Sequence, residues 1–135
     1  MQTETFTIGQ LSRQANCKTE TVYYYERAGL LPKPPRSAGG HRIYDLTNAK
    51  RLKFIRRCRE LGFSLNQIRV LLSFIDESDH SCGEVKAVAL AQSNEVQEKI
   101  DDLIRLKQAL DTMVNQCKGT NYPIEKCPII DALYT

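Results

Sequence analysis

Apolar residues near the start of the chain recur at the spacing of short amphipathic helices. Ile8, Leu11 and Ala15 lie three and four residues apart, so they share one helical face. After the connector "NCK", Thr19 is the expected N-cap of a second helix, and Val22 opens the apolar stripe of that helix. Two short helices joined by so tight a turn are typical of a helix-turn-helix.

The next segment interrupts the helical pattern. Gly29 is expected to end the second helix, and Pro32 prevents it from resuming. In "PKPPRSAGGHRIYDL" the prolines and glycines favour turns, while "HRIY" is extended. We therefore predict a small hairpin wing that carries Arg36, His41 and Arg42.

Two further amphipathic helices follow the predicted wing. We expect the first to be capped by Thr47 and to end near Gly62, and the second to be capped by Ser64. Their apolar stripes predict which side chains are buried. These are Leu52, Ile55, Cys58 and Leu61 in the first helix, and Ile68, Leu71 and Leu72 in the second.

From Cys82 to Cys117 the apolar pattern changes to a seven-residue repeat. Positions 82, 89, 96, 103, 110 and 117 hold Cys, Ala, Val, Leu, Leu and Cys, and the stretch has no proline and a glycine only at its start. Ile100 and Val114 belong to the interleaved set, which Lys86, Ser93 and Lys107 interrupt. This pattern predicts one long coiled-coil helix and a homodimer. A helix packed inside its own domain is the alternative, but little chain remains to cover the stripe.

The pattern as a whole predicts a mainly α protein with three parts. Residues 1–76 would form a winged helix-turn-helix domain, and residues 77–117 a dimerisation helix that pairs in antiparallel fashion. Residues 118–135 would form a metal-binding loop and a short terminal helix.

Charge divides the chain in the same way. Residues 1–73 hold 13 Lys or Arg and 5 Asp or Glu, a net charge of +8, whereas residues 74–135 hold 6 and 11, a net charge of −5. A basic N-terminal half is expected of a nucleic-acid-binding domain. Composition alone leaves open a solvated surface of uneven charge.

The expected setting is the reducing interior of a cell. The N-terminus "MQTETFTIGQ" has neither the basic nor the apolar region of a secretory signal. Apolar runs fall short of the roughly 18 residues needed to cross a bilayer, so no membrane partner is expected. Five cysteines without a signal favour thiol or metal chemistry over a disulfide framework.

The segment "CKGTNYPIEKCP" bears a cysteine at each end of a loop, and a disulfide, a metal site and a catalytic thiol are all conceivable there. Cys82 and Cys117 share a heptad face but lie about 52 Å apart along a helix, so one chain cannot bring both to one metal ion. An antiparallel helix pair would place Cys82 of one subunit beside Cys117 and Cys127 of the other. Two identical sites would then follow from the dimer symmetry.

Three thiolates favour a soft divalent ion such as Hg²⁺, Cd²⁺, Pb²⁺ or Zn²⁺. His80 is a nearby candidate for a fourth ligand, although a solvated histidine is the simpler alternative. Cys17 and Cys58 are expected to be small buried residues.

A catalytic cysteine would need a base. The chain has two histidines, one of them in the predicted wing, so we expect no enzyme.

Several stretches occur in the order found in the MerR family of bacterial regulators. "TIGQLSRQANCKTETVYYYERAGLLP", "RSAGGHRIY" and "RLKFIRRCRELGFSLNQIRVLL" resemble its winged helix-turn-helix domain, and the match continues to "CPIIDAL". The resemblance implies a cytoplasmic bacterial homodimer that binds promoter DNA with widely spaced −35 and −10 elements. Bound metal would change the DNA distortion so that RNA polymerase can use both elements.

The resemblance also suggests which residues contact DNA. The family's "T-x-R-Y-Y-E" usually offers an arginine where this chain has Tyr23, so its operator preference need not follow its relatives. Arg42 and Tyr44 match the wing's "R-x-Y" and are expected to contact phosphates. Further candidates are Lys18, Thr19, Tyr24, Arg36 and His41.

The resemblance also narrows the choice among the candidate metal ions. Cys82 is absent from the family's copper branch and therefore points to a divalent ion. Lys118 and Tyr122 stand where the zinc branch usually has a cysteine and a histidine, which weakens zinc, and a three-thiolate site favours Hg²⁺ ahead of Pb²⁺ and Cd²⁺. A zinc-responsive regulator and a redox sensor that uses Cys117 and Cys127 as a reversible disulfide remain alternatives. Drug-sensing members usually carry a larger ligand domain.

Overall fold

A computed structural model describes residues 4–119 and 121–134, so positions 1–3, 120 and 135 of the predicted domain ranges lie outside the described part. The order of elements is β1 (Thr5–Phe6), α1 (Ile8–Gln14), α2 (Thr19–Arg27), β2 (Tyr44–Asp45), α3 (Leu46–Glu60), α4 (Leu65–Asp76), α5 (Cys82–Gln116), a 3₁₀ turn (Ile124–Lys126) and α6 (Pro128–Tyr134). The fold is mainly helical, as predicted. It divides into two compact units at residues 88 and 89, which are described separately.

The predicted helix-turn-helix is confirmed as α1 and α2. Thr7 caps α1 in a reciprocal capping box, because its side chain accepts from the backbone of Gln10 and the Gln10 side chain accepts from Thr7. In the turn, Asn16 adopts a φ of 55°, a left-handed conformation that asparagine tolerates. The N-cap of α2 is Lys18, which makes no side-chain capping bond. The prediction of Thr19 as the cap was therefore wrong by one residue.

Gly29 ends α2 as predicted. Its φ of +78° lies in the left-handed region that glycine enters without steric cost. The backbone N–H groups of Gly29 and Leu30 then bond back to the carbonyls of Glu26 and Tyr25, at 3.1 and 2.9 Å. The last turn of the helix is thereby closed.

The predicted hairpin wing, residues 35–43, is also confirmed. Arg36 and Arg42 form an antiparallel bridge, and the N–H of Ile43 donates to the Pro35 carbonyl at 2.9 Å. The two-stranded antiparallel sheet of β1 and β2 was not predicted. It pairs Phe6 with Tyr44, and so joins the beginning of the domain to the end of the wing.

The caps of α3 and α4 differ in how well they were predicted. Asp45 caps α3. Its carboxylate accepts a hydrogen bond from the Asn48 backbone N–H at 2.9 Å, and the Asn48 side-chain oxygen accepts one from the Asp45 backbone N–H at 3.1 Å. This reciprocal pair overrides the predicted cap at Thr47. Ser64 caps α4 as expected, again with a partner three residues on.

The core of the first unit largely matches the predicted apolar stripes. Leu61 is an exception, because it lies at the C-cap of α3 and is 52% exposed where the chain turns at Gly62. Ile8 is only half-buried against the core. The predicted residues that are buried are Leu11, Ala15, Val22, Leu52, Ile55, Cys58, Ile68, Leu71 and Leu72.

The long helix α5 spans 35 residues, which confirms the helix predicted from the heptad pattern. In the second unit, the apolar residues of the seven-residue repeat and of the interleaved set, here called the seam of α5, are exposed in the single chain. Val96, Ile100, Leu103, Leu110 and Val114 all belong to this uncovered set. No helix in the described part of the chain combines the length and the apolar character needed to cross a membrane.

Candidate nucleic-acid interface and thiol residues

The second helix of the helix-turn-helix has one face in the core and another at the surface. Val22 and Tyr25 are buried, whereas Lys18 and Tyr24 are exposed and Tyr23 is half-buried. This division follows from the helical spacing of the apolar positions. The exposed face of α2 therefore carries the side chains that were expected to meet DNA, together with the half-buried Thr19.

The tip of the wing is a tight turn. The Ser37 N–H donates to the His41 carbonyl at 2.7 Å, and the Gly40 N–H donates to the Ser37 carbonyl at 2.9 Å. Gly40 has a φ of +83°, a value that L side chains rarely adopt. The exposed Arg36 donates to the Gly40 carbonyl at 2.8 Å, so its guanidinium is held at the tip with further N–H groups available.

A surface cleft of about 250 Å³ lies where the wing meets the helix-turn-helix. It contains two arginines, a histidine and a tyrosine, with no acidic residue in its lining. Cationic and hydroxyl groups around an open cleft suit a phosphate oxygen. The lining residues are Thr7, Ile8, Tyr23, Arg36, Gly40, His41 and Arg42.

Glu26 is a buried acid on α2 whose carboxylate has two partners from the end of the wing. The Tyr44 hydroxyl donates to Oε1 at 2.6 Å, and the Arg42 guanidinium forms an ion pair with Oε2. The same guanidinium lies over the Tyr23 ring, 4.4 Å from its centroid, as in a cation–π contact. Glu26 was not among the residues predicted from the sequence, although its position four residues after Val22 on the buried face could have indicated a paired carboxylate.

The expected phosphate contact of Tyr44 needs correction. Its side chain is 1% exposed and its hydroxyl is committed to Glu26, so it has no free surface to offer a phosphate. Burial, together with the hydrogen bond to Glu26, raises the pKa of Tyr44 to about 12. The hydroxyl therefore remains a proton donor at any physiological pH.

The three cysteines that were predicted as ligands lie at helix ends. Cys82 is the exposed first residue of α5, and Cys117 follows the last residue of that helix. Cys127 is the C-cap of the 3₁₀ turn and directly precedes α6. Cys117 and Cys127 are partly exposed, and the Cys117 thiol donates to the Gly119 carbonyl at 3.5 Å. All three are free thiols that a soft metal could reach.

One chain does not gather these thiols into a metal site. Among residues 4–119 and 121–134, no three His, Cys, Asp or Glu side chains lie close enough to hold an ion. The donor chemistry itself suits a soft cation, because thiolates prefer such ions.

The other two cysteines differ in environment. Cys58 is buried, as the sequence predicted, whereas Cys17 is only half-buried where it packs against the core. Burial raises the pKa of both thiols, with Arg56 partly opposing the effect at Cys17. A raised pKa disfavours the thiolate, the form that binds metal.

His80 is neither freely solvated nor free to ligate. Its Nε2 contacts Glu77 at 2.7 Å, its Nδ1 contacts Glu84, and its ring lies 4.6 Å from the Phe74 ring. Hydrogen bonds to Glu77 and Glu84 raise the pKa of His80. The imidazole would have to leave one carboxylate before it could act as a fourth metal ligand.

The fold and the chain's motifs agree with comparisons to known proteins. The family model for the MerR HTH family regulatory protein matches residues 6–75, and the model for MerR, DNA binding, matches residues 49–113. The mercuric resistance operon regulatory protein of Bacillus cereus is 38% identical over 128 residues, covering 95% of this chain and 96% of that relative. The HTH-type transcriptional regulator ZntR of Escherichia coli K12 is 37% identical over 129 residues, covering 95% and 92%.

A similar solved structure is that of the transcription regulator PbrR691 from Ralstonia metallidurans CH34 in complex with lead(II). It shares 38% identity and a TM-score of 0.84, covering 95% of this chain and 98% of that one. Together the two family models span residues 6–113, from β1 through most of α5. The protein belongs to the MerR family of helix-turn-helix transcriptional regulators, which are DNA-binding proteins.

Proposed function

We propose that this regulator senses a thiophilic divalent metal and controls transcription as a homodimer on promoter DNA. The observation that carries the proposal is the contrast among its cysteines. Cys58 is buried in the core and the half-buried Cys17 packs against it, and burial raises the pKa of both thiols, whereas Cys82, Cys117 and Cys127 lie at helix ends. Relatives whose names refer to mercury, and a structural neighbour bound to lead(II), support metal as the signal.

The dimer rests on the uncovered seam of α5. Leu103 and Leu110 are 64% and 60% exposed in one chain, they share the seven-residue register of Val96, and Val114 belongs to the interleaved set of the same stripe. A long stripe of this kind is stabilised when a second copy covers it. In an antiparallel pair, the start of one α5 lies beside the end of the other. Cys82 of one subunit would then face Cys117 and Cys127 of its partner.

Three thiolates from two chains favour Hg²⁺, with Pb²⁺ and Cd²⁺ close behind. Zn²⁺ is a weaker candidate, because closed zinc sites usually have four protein ligands. Both nitrogens of His80 already contact carboxylates. When bound, the metal would cross-link the subunits through sulfur. The residues of this chain contribute the accessible thiols and the helix that positions them.

In the first unit, the exposed face of α2 and the wing would contact duplex DNA in the cytoplasm of a bacterium. We assign Tyr23 and Thr19 to base edges or nearby backbone, and Lys18, Tyr24, Arg36 and His41 to the phosphates. Metal binding at the dimer would change the relative setting of two such domains, and RNA polymerase would respond to the altered promoter.

Mixed dimers test the shared site. One subunit carries Cys82→Ser and the other carries Cys117→Ser, and two different affinity tags allow the heterodimer to be isolated. Both lesions fall in one site, and the second site keeps Cys82 from one chain and Cys117 and Cys127 from the other. Titration with Hg²⁺ against a competing thiol should find one tight ion per heterodimer, two per wild-type dimer and none in either parent variant.

A Cys17→Ser dimer is the matched control and should bind two ions. A heterodimer without a tight ion would show that the three ligands do not come from two chains. The redox alternative makes a separate prediction, because a Cys117–Cys127 disulfide does not use Cys82. A Cys82→Ser dimer that keeps the full transcriptional response of the wild type to its signal would favour the redox sensor.

A further inference from the structure

Glu26 is a buried carboxylate in a helix expected to face the polyanion DNA. A charge removed from water destabilises the fold unless it is paired and hydrogen-bonded. In this chain both oxygens of Glu26 are paired, one with Tyr44 and one with Arg42. The buried charge is therefore compensated, and the position of its two partners indicates the role of Glu26.

Both partners of Glu26 come from the end of the wing. Arg42 is 16 residues away along the chain and Tyr44 is 18 residues away. The carboxylate thus joins α2 to the wing by two hydrogen bonds, one of them also an ion pair. Because the wing is otherwise a short hairpin with a single bridge, this junction decides how its tip stands relative to α2.

The charge of Arg42 is largely used within the protein. Its guanidinium is paired with Glu26 and lies over Tyr23, and its side chain is 30% exposed. Arg36 differs, because it is exposed and its contact is a neutral carbonyl. Of the two wing arginines, Arg36 carries the charge that remains free to neutralise a phosphate.

We propose that Glu26 is a positioning residue that fixes the wing against α2. Arg42 is its ion-pair partner in the wing, and Arg36 is the arginine that contacts phosphate. This inference rests on the proposed binding of duplex DNA. It departs from the sequence-based expectation that Arg42 contacts phosphate. It also gives Tyr23 a defined setting, since the Glu26–Arg42 pair holds a cation against its ring.

Salt dependence separates the two arginines. The probes are a duplex selected from a random-sequence pool by the wild-type dimer, and the unselected pool. Each phosphate contact contributes about 0.9 to the slope of log affinity against log salt. Arg36→Met removes one contact from each subunit of the dimer, so it should lower that slope by about 1.8 on both probes. Glu26→Gln/Arg42→Met, which changes no net charge and leaves no buried ion unpaired, should keep the wild-type slope.

The same variants test positioning. Glu26→Gln should reduce the affinity of the dimer for the selected duplex roughly a hundredfold, about tenfold for the charge-assisted hydrogen bond lost in each subunit, while affinity for the pool changes little. The double variant Glu26→Gln/Arg42→Met should lose no more affinity for the selected duplex than Glu26→Gln alone, because the two residues act as one unit. Tyr44→Phe, which removes only a hydroxyl, should shift selectivity in the same direction by less. Thermal unfolding of each dimer identifies any variant that fails to fold.

Three outcomes would overturn the inference. A slope that falls by about 1.8 in the Glu26→Gln/Arg42→Met dimer would make Arg42 a phosphate contact in each subunit. Additive losses for the two substitutions, or unchanged selectivity in both folded Glu26→Gln and folded Tyr44→Phe, would remove the positioning role. If the wild-type dimer enriches no sequence from the pool, the proposed DNA recognition itself fails, which is a distinct result.

Discussion

The hydroxyl of Tyr44 donates a 2.6 Å hydrogen bond to the buried carboxylate of Glu26, and so connects β2, the strand after the wing, to α2. Neither residue has a surface available for DNA. Their bond nevertheless lies directly behind Arg42 and Tyr23, which border the cleft between wing and helix. A pair of buried residues thereby shapes a surface that neither of them reaches.

The first prediction concerns the ionisation of Tyr44. Its pKa of about 12 exceeds the ordinary tyrosine value of about 10, so the folded state retains a proton that the unfolded chain loses. The associated stability is fully present below about pH 10 and is lost as pH rises through about 12. Wild-type protein should therefore lose up to ~3 kcal/mol of unfolding free energy over that interval relative to Tyr44→Phe.

Tyrosinate absorbance provides the direct measurement. Of the six tyrosines, one should titrate near pH 12 in the folded protein, and that step should be missing in Tyr44→Phe. Tyr24→Phe, which alters an exposed ring, is the control and should keep the late step. A late step that persists in Tyr44→Phe would mean that Tyr44 is not the tyrosine with the raised pKa.

The second prediction concerns the exposed seam of α5. Leu103→Glu should weaken the homodimer at least tenfold, because burial of one leucine side chain contributes about 2 kcal/mol and a buried carboxylate opposes association. Gln108→Glu introduces the same charge off the seam and should leave the dimer intact. Sedimentation equilibrium measures both, and equal dissociation constants for the two variants would argue against this seam as the interface.

The third prediction concerns operator preference. Tyr23→Phe keeps the ring beneath the Arg42 guanidinium, whereas Tyr23→Leu removes the cation–π contact, worth about 0.5–1 kcal/mol at exposed sites. Tyr23→Leu should therefore change which duplexes are selected from a random pool more than it changes overall affinity. Identical selected sequences for wild type and Tyr23→Leu would show that this position does not set specificity.

The fourth prediction concerns the metal response. Cys82→Ser, Cys117→Ser and Cys127→Ser should each abolish transcription activated by Hg²⁺, because each removes one of three thiolate ligands. Operator binding should persist, since none of the three cysteines belongs to the helix-turn-helix or the wing. Transcription in vitro with Hg²⁺, Pb²⁺, Cd²⁺ and Zn²⁺ measures the response of each variant. Cys17→Ser is the control that should respond normally.

Local patterns in the sequence were sufficient for most of the secondary structure. The seven-residue repeat predicted α5 to within one residue, because helix length depends on an uninterrupted run of helix-compatible residues. Ser64 and Gly29 marked helix ends correctly, since capping and left-handed turns depend on residues a few positions apart. The metal site inferred from the spacing of the cysteines at the ends of α5 stays a prediction, because it depends on a second chain.

Contacts between distant residues were decided by the tertiary structure. The pairing of Phe6 with Tyr44 brings together positions 38 residues apart, and two-residue strands have no pattern from which such a pairing could be predicted. Tyr44 resembled a surface residue in its motif, but the sheet and α2 enclose it and give its hydroxyl to Glu26. A buried carboxylate acquires its role only from the partners that folding brings to it, so the distinction between Arg36 and Arg42 emerged from the packed wing.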